Sequence, residues 1–441
     1  MIREKLYRDP IHDLIALDKN SPQDCVLMQL IDSPEMQRLR RIRQLGLASF
    51  AYQGAEHSRF THSLGAMWVA TRILNQLGKE RHVAPRLSFA TRCAALLHDV
   101  GHGPLSHVFE SFMGVHHETW TRQIILDRTS AIHNILRSHH AALPGEVVQI
   151  IEGESKPAYL SQIISSQLDA DRFDYLLRDS ASTGVKYGIY DLERLLHVLR
   201  LDPRGETILV AANGVQAVEK YLQARYHMYS QVYLHKTVRA AECVFGKLLI
   251  RAADLIRKNQ LPGISDQPLG RLLLQRGKAT LVDYTQVDDY VIFANLNQWC
   301  NSEDSILRDL SQRIVQRNLF KTIDVSRVNG LTAKMSHAKK IIKEARLDPK
   351  YYLSLDTSGD TPYRPYDPRL PGHTQHIQVE NPNGAPRDIV EHSEVVRGLA
   401  RAAFSLKRVM FPANTKGCDI RAAMNNLFLD QKDSETFLPP W

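Results

Sequence analysis

Apolar residues along this chain recur mainly at helical spacing. Ala90, Cys93, Ala94 and Leu97 stand at i, i+3, i+4 and i+7, one apolar helix face, and Gly101, Gly103 and Pro104 follow as stop signals. His98 and Asp99 are therefore expected in the last turn of that helix. "SPEMQRLRRIRQLG" opens with Ser33 as N-cap and Pro34 at the first helical position, and predicts a helix running to Gly46. In "LDADRFDYLLRD", Phe173, Leu176 and Leu177 mark the core side. Asp171, Tyr175 and Arg178 then share the opposite face, where a charged triplet can line a cavity. "ETILVAANG" reads as a short strand entering a turn, and Val215 to Ile256 returns to helical spacing. Beyond a boundary near residue 320, Tyr363 to Gly372 reads as a loop rich in Pro and Tyr. "HIQVENPNGAPRDIV" reads as a β-hairpin about Asn383-Gly384, and Ser393 opens a last amphipathic helix. The expected fold is mainly α, a helical body over 1–320 with a smaller α+β region over 321–441.

Composition narrows the classes of function. At 441 residues and 43% hydrophobic, the chain can bury a real core. Its first twenty residues carry charges throughout, and no run of about 18 apolar residues occurs, so neither export nor a membrane span is expected. Five cysteines, Cys25, Cys93, Cys243, Cys300 and Cys418, are odd in number and far apart, which argues against a disulfide framework and for the cytoplasm. A net charge of +8 points to polyanionic partners, nucleotides or nucleic acid. Aromatics are only 7% and are not interleaved with basic residues in a stacking series, so nucleic acid is not favoured.

Candidate chemistry begins at Asp99. A carboxylate in the last turn of a helix faces the negative end of the dipole, unfavourable by a few tenths to about 1 kcal/mol unless a cation lies beside it. His62 in "HSRFTHSLG", His98, Asp99 and Asp171 make an N2O2 donor set suited to manganese, iron, magnesium or zinc with open positions for water. A lone histidine is more often a hydrogen-bonded structural residue; four donors in this order are not.

"RFTHSLG", "LLHDVGHGPLSH" and "LDADRFDYLLRD" resemble the HD-domain phosphohydrolases and, more narrowly, their deoxynucleoside triphosphate triphosphohydrolase branch. "KLYRDPIHD", "IDSPEMQRLRRIRQLG" and "YLHK" extend the resemblance from residue 5 to about 240. It implies an HD phosphohydrolase domain over 1–320 with divalent-metal ligands His62, His98, Asp99 and Asp171. It implies catalytic roles for His102, for His107 with Glu110, and for His117 with Glu118. His116 competes with His117, which the family order of His then Glu favours. The implied reaction is attack of a metal-activated water on the α-phosphorus, with His107 protonating the leaving 5′-oxygen, to give a deoxynucleoside and triphosphate.

Arg59, Arg172, Arg225 and Lys236 are then implied as phosphate cations. Gln44, Leu45, Asp179 and Tyr233 match sugar contacts, with Tyr175 beside them in the cavity. Lys5, Asp32, Gln37 and Arg40 match part of a guanine-nucleotide activator pocket at a subunit interface, in a homo-oligomer expected to be a dimer or tetramer. Arg8 and Asp13 depart from the family pattern there, which leaves the activator's identity open. The plain alternative for the four arginines Arg38, Arg40, Arg41 and Arg43 is a solvated helix face. The alternative function is another HD-type phosphohydrolase, acting on single-stranded nucleic acid, mononucleotides or cyclic nucleotides.

Overall fold

The computed structural model describes residues 3–261, 263–360, 376–381, 384–401, 404–414 and 418–429. The chain opens with an antiparallel hairpin, β1 (Glu4–Asp9) and β2 (Asp13–Asp18), followed by α1 (Pro22–Asp32) and α2 (Pro34–Arg38). Ser33 ends α1 and caps α2, accepting from the Met36 N–H as expected. The helix predicted to reach Gly46 stops early. After a 3₁₀ turn over Leu39–Arg41, the chain extends at Ile42 and pairs with residues 57–59 through Gln44 N–H to His57 O (2.9 Å) and Arg59 N–H to Ile42 O (2.9 Å).

The helical body continues as α3 (Arg59–Gly78), α4 (Pro85–Leu97), α5 (His107–Met113), α6 (His117–Leu126), α7 (Ala131–His139), α8 (Leu143–Ile151), α9 (Tyr159–Ile164), α10 (Ala170–Thr183) and α11 (Leu192–Val198). After β3 (Leu199–Leu201) and β4 (Ile208–Val210) come α12 (Val215–Met228) and α13 (Lys236–Arg257), so the predicted single helical stretch is interrupted by a π-helical turn at Tyr229–Tyr233. Next are α14 (Pro268–Gln275), α15 (Leu281–Thr285), α16 (Asp289–Trp299), α17 (Ser305–Val315), β5 (Lys321–Asp324), α18 (Leu331–Glu344), α19 (Pro349–Tyr352) and β6 (Ser354–Asp360). The chain closes with β7 (Gln378–Val379), β8 (Arg387–Asp388), α20 (Glu394–Arg401), β9 (Phe404–Phe411) and α21 (Ile420–Phe428).

β7 and β8 pair antiparallel as the hairpin reading requires, with Gln378 opposite Asp388; the Tyr363–Gly372 loop and Asn383 lie outside the described residues. Ser393 caps α20 through the Val396 N–H (3.0 Å), but that helix is not the last, because β9 and α21 follow it.

Two main apolar cores organise the molecule, and residues on both sides of 320 join each of them. The first runs from Ile15 to Val232 and takes in Ile377, Val379, Ile389 and Val396; β7 extends its sheet, parallel to β4. The second is built on α13 and extends to Phe428, with β9 between β5 and β6. The C-terminal region therefore divides between both cores, because its apolar residues complete each of them. No helix among the described residues is long and apolar enough to cross a membrane.

Candidate metal centre and cavity

α3 packs against both α4 and α10, and this contact assembles the donor set. Asp169 caps α10 by accepting from the Arg172 N–H (2.7 Å), which places Asp171 in the first turn. α4 ends at Leu97, so His98 is its C-cap and Asp99 lies just past the predicted last turn. Each imidazole has its Nδ1 occupied. His98 Nδ1 donates to Ala95 O (2.8 Å), and His62 Nδ1 bonds Asp174 Oδ2 (2.8 Å). Both Nε2 atoms are buried without a hydrogen-bond partner. Asp171 Oδ1 sits 3.0 Å from His62 Nε2, outside hydrogen-bonding geometry, and 3.5 Å from His98 Nε2, while Asp99 Oδ1 is 3.5 Å from His98 Nε2. Two bare ring nitrogens converging on two carboxylates fit a divalent cation, and a partner carboxylate or carbonyl on each ring's far nitrogen is the usual outer support of histidine ligands.

The electrostatics agree. Burial opposes charge on His62, yet the Asp171 and Asp174 carboxylates outweigh it and push its pKa up to about 10. His98 is likewise raised against burial, by Asp99 and Asp171. The carboxylates thus favour positive charge at these ring nitrogens, whether as protons or as a divalent cation in their place.

Behind the donors lies a layer that sequence reasoning missed. Asp174 accepts from Arg178 Nε and Nη2 (2.8 Å each) and bonds His12 Nε2 (2.7 Å), while Arg178 also pairs with Asp9 Oδ2 (2.9 Å). Arg178 is therefore buried in this network and does not line the cavity, against its predicted place beside Asp171 and Tyr175. The only signal was the spacing Asp171, Asp174, Arg178 on one helix.

A cavity of about 490 Å³ opens onto the donors. Gln44, Leu45, Arg59, Asp99, His102, His107, His117, Asp171, Arg172, Tyr175, Asp179 and Tyr233 line it. Arg59 pairs with Asp99 and bonds Ser106 Oγ; Arg172 pairs with Asp169, leaving its buried Nε–H without a partner. Tyr233 donates to Asp179 Oδ2 (2.8 Å), whose Oδ1 bonds His57 Nε2 (2.7 Å). His102 stacks on His117 with ring centroids 3.7 Å apart; burial and Arg59 hold its pKa well below the usual range, so it is neutral.

Glu110 is the hub of the second histidine set. It takes His117 Nδ1 at 3.0 Å, His116 Nδ1 at 2.8 Å and His107 Nδ1 at 3.5 Å. Burial raises its pKa, but these imidazoles outweigh that and keep it ionised. Glu118 is exposed and outside the cavity, so the expected His117–Glu118 pairing is replaced by His117–Glu110.

Two expected phosphate cations also lie outside the lining. Lys236 is exposed, and Arg225 bonds Gln167 Oε1 (2.7 Å) with its guanidinium 5.6 Å from the Tyr229 ring. Arg239 and Glu242 on α13 line the cavity instead. Nothing in the motifs pointed to them.

On the α1–α2 surface, Lys5 Nζ pairs with Asp32 Oδ2 (3.0 Å), Arg40 Nε donates to Gln37 Oε1 (2.8 Å), and Arg40 stacks on Phe60 at 3.7 Å. The four arginines are not one solvated face. Arg38 is buried and donates to His102 O (2.9 Å) and Val287 O (3.1 Å); Arg41 pairs with Asp288 and Arg43 with Glu56.

Two imidazoles and two carboxylates opening on a cavity with arginines fit the centre of a metal-dependent phosphohydrolase. The HD-domain family model matches residues 59–179, and the HD-associated region matches 190–269. The YwfO protein of Bacillus subtilis is 37% identical over 413 residues, 93% of this chain and 92% of its own length. A phosphohydrolase crystal structure from Bacteroides thetaiotaomicron superposes with a TM-score of 0.78 at 28% identity, covering 92% of this chain and 99% of that one. Human deoxynucleoside triphosphate triphosphohydrolase SAMHD1 is 25% identical over 80% of this chain, which spans 60% of that protein's length. The chain belongs to the HD-domain family of metal-dependent phosphohydrolases.

Proposed function

We propose that this protein hydrolyses deoxynucleoside triphosphates to a deoxynucleoside and triphosphate. The observation that carries the reading is the pair of unpartnered Nε2 atoms, on His62 and His98, set against Asp99 and Asp171 at the floor of a cavity that Arg59 and Arg172 also line. A divalent cation there supplies Lewis acidity and lowers the pKa of a bound water. Arg59 and Arg172 set positive charge against the phosphate oxygens, with the unpartnered Arg172 Nε–H as a donor to one of them. Glu110 orients the imidazoles of His107 and His117; as a water oxygen bonds to Pα and the Pα–O5′ bond breaks, His107 on the rim gives its proton to the leaving 5′-oxygen. His102, neutral and 3.3 Å from Asp99 Oδ1, steadies that carboxylate. Leu45 with the Tyr233–Asp179–His57 chain walls the sugar and leaves no room for a 2′-hydroxyl. The Lys5, Asp32, Gln37 and Arg40 surface takes a guanine nucleotide that promotes homo-oligomer assembly.

The test is to incubate the protein with magnesium or manganese and each dNTP, each rNTP or a labelled single strand, and to identify the phosphate product. Release of triphosphate from dNTPs supports the reading; pyrophosphate, inorganic phosphate or strand cleavage overturns it.

A further inference from the structure

Asp289 opens α16, outside both matched family regions, and is buried at 2% exposure. Its two carboxylate oxygens are divided between two segments of the cavity wall. Oδ2 accepts from the Arg43 N–H (2.9 Å), next to Gln44 and Leu45, and Oδ1 accepts from the Leu105 N–H (2.8 Å), two residues before His107.

The segment around Leu105 needs holding. Leu105 (φ 51°) and Ser106 (φ 55°, ψ −125°) are both at positive φ without being glycine, a strain that persists only where the surroundings impose it. A buried carboxylate accepting two backbone N–H bonds supplies such a restraint, since hydrogen bonds to charged groups are the stronger ones. The same two segments also meet through Ser106 Oγ and Arg43 O (3.2 Å), and Gly46 leaves no slack, because a Cβ there would lie 3.0 Å from Leu105 O. Asp289 therefore spans the wall carrying the sugar contacts and the turn carrying the acid.

We propose that Asp289 is a positioning residue that sets the distance between the sugar wall at Gln44–Leu45 and the proton donor His107. It touches neither metal nor substrate and acts through the two backbone amides. The inference rests on the dNTP reading of the site.

The test compares Asp289→Asn, which keeps one acceptor and turns an NH2 toward the other amide, with Asp289→Ala, which removes both. Metal content, thermal midpoint, and kcat and KM on dNTPs and rNTPs are measured for each. In Asp289→Ala, kcat is expected to fall about 100-fold, the cost of a misplacement near 1 Å, with metal content retained. The preference for dNTP over rNTP is expected to narrow about tenfold, with Asp289→Asn intermediate in both. A kcat that falls only with metal or folded protein while the sugar preference stays intact overturns the role. No triphosphate release from any dNTP by the unmodified protein overturns the site reading, and this inference with it.

Discussion

At the metal centre the chemistry is decided by which ring nitrogen is occupied. Asp174 and the Ala95 carbonyl take the Nδ1 atoms of His62 and His98 and leave both Nε2 lone pairs for a cation. Asp171→Asn removes one carboxylate of the set while the Asp174 network stays in place. Turnover and bound metal should then fall by more than about 100-fold, the range of 10–100-fold for outer-shell losses being the lower limit, while the far-UV circular dichroism stays unchanged. Elemental analysis and activity together check it, and unchanged metal content would remove Asp171 from the site. The pH response follows from His62. Without metal its imidazole is protonated below about 10, raised from its ordinary value by the two carboxylates. A metal must displace that proton, so affinity should rise with pH, roughly tenfold per unit for one proton displaced. Calorimetric titration between about pH 6 and 8, in buffers of different ionisation enthalpy, measures the proton release; a flat affinity would mean that His62 is not a ligand.

Helix contacts explain why these side chains meet, and which ones were legible beforehand. Gly65 on α3 lies against α10, where a Cβ would collide with the Asp174 carboxylate and the Arg178 guanidinium. Gly→Ala inside a helix ordinarily gains about 1 kcal/mol, but overpacking here costs about 1–3 kcal/mol and displaces the support of His62. Gly65→Ala should therefore lower both the thermal midpoint and metal affinity, and a stabilised variant with full metal content would overturn this account. That His62, His98, Asp99 and Asp171 come together could be read from the sequence, because short motifs at helix ends place them locally. The caps at Ser33 and Ser393 could be read for the same reason. The second layer could not. His12 reaches Asp174 across 162 residues, Asp9 reaches Arg178 across 169, and Asp289 reaches Arg43 across 246. Arg38 and Arg178 were also misplaced, because buried backbone carbonyls take the guanidinium of the first and the Asp9 and Asp174 carboxylates that of the second. The same limit hid the end of the arginine helix, which gives way to pairing with residues 57–59.

At the scale of the whole molecule, the cavity lies where the two cores meet. Tyr175 packs against the first core, Leu105 belongs to the second, and both line it. Gln37 and Arg40 flank Arg38, whose guanidinium ties α2 both to the His102 carbonyl and to Val287, just before α16. The Lys5–Asp32 pair is 34% and 61% exposed, and such a pair is worth about 0–1 kcal/mol, so a charged ligand can replace it at little cost. A guanine nucleotide bound there between subunits at about 100 times its Kd would favour the assembled form by roughly 2.7 kcal/mol. Assembly and turnover of other dNTPs should therefore rise together when dGTP is added, and the double variant Asp32→Ala, Arg40→Ala should lose that response while keeping its metal. Sedimentation with and without dGTP, alongside hydrolysis of dATP, separates this from a merely basic surface: equal assembly and equal rates in both conditions would leave the α1–α2 face without a regulatory role.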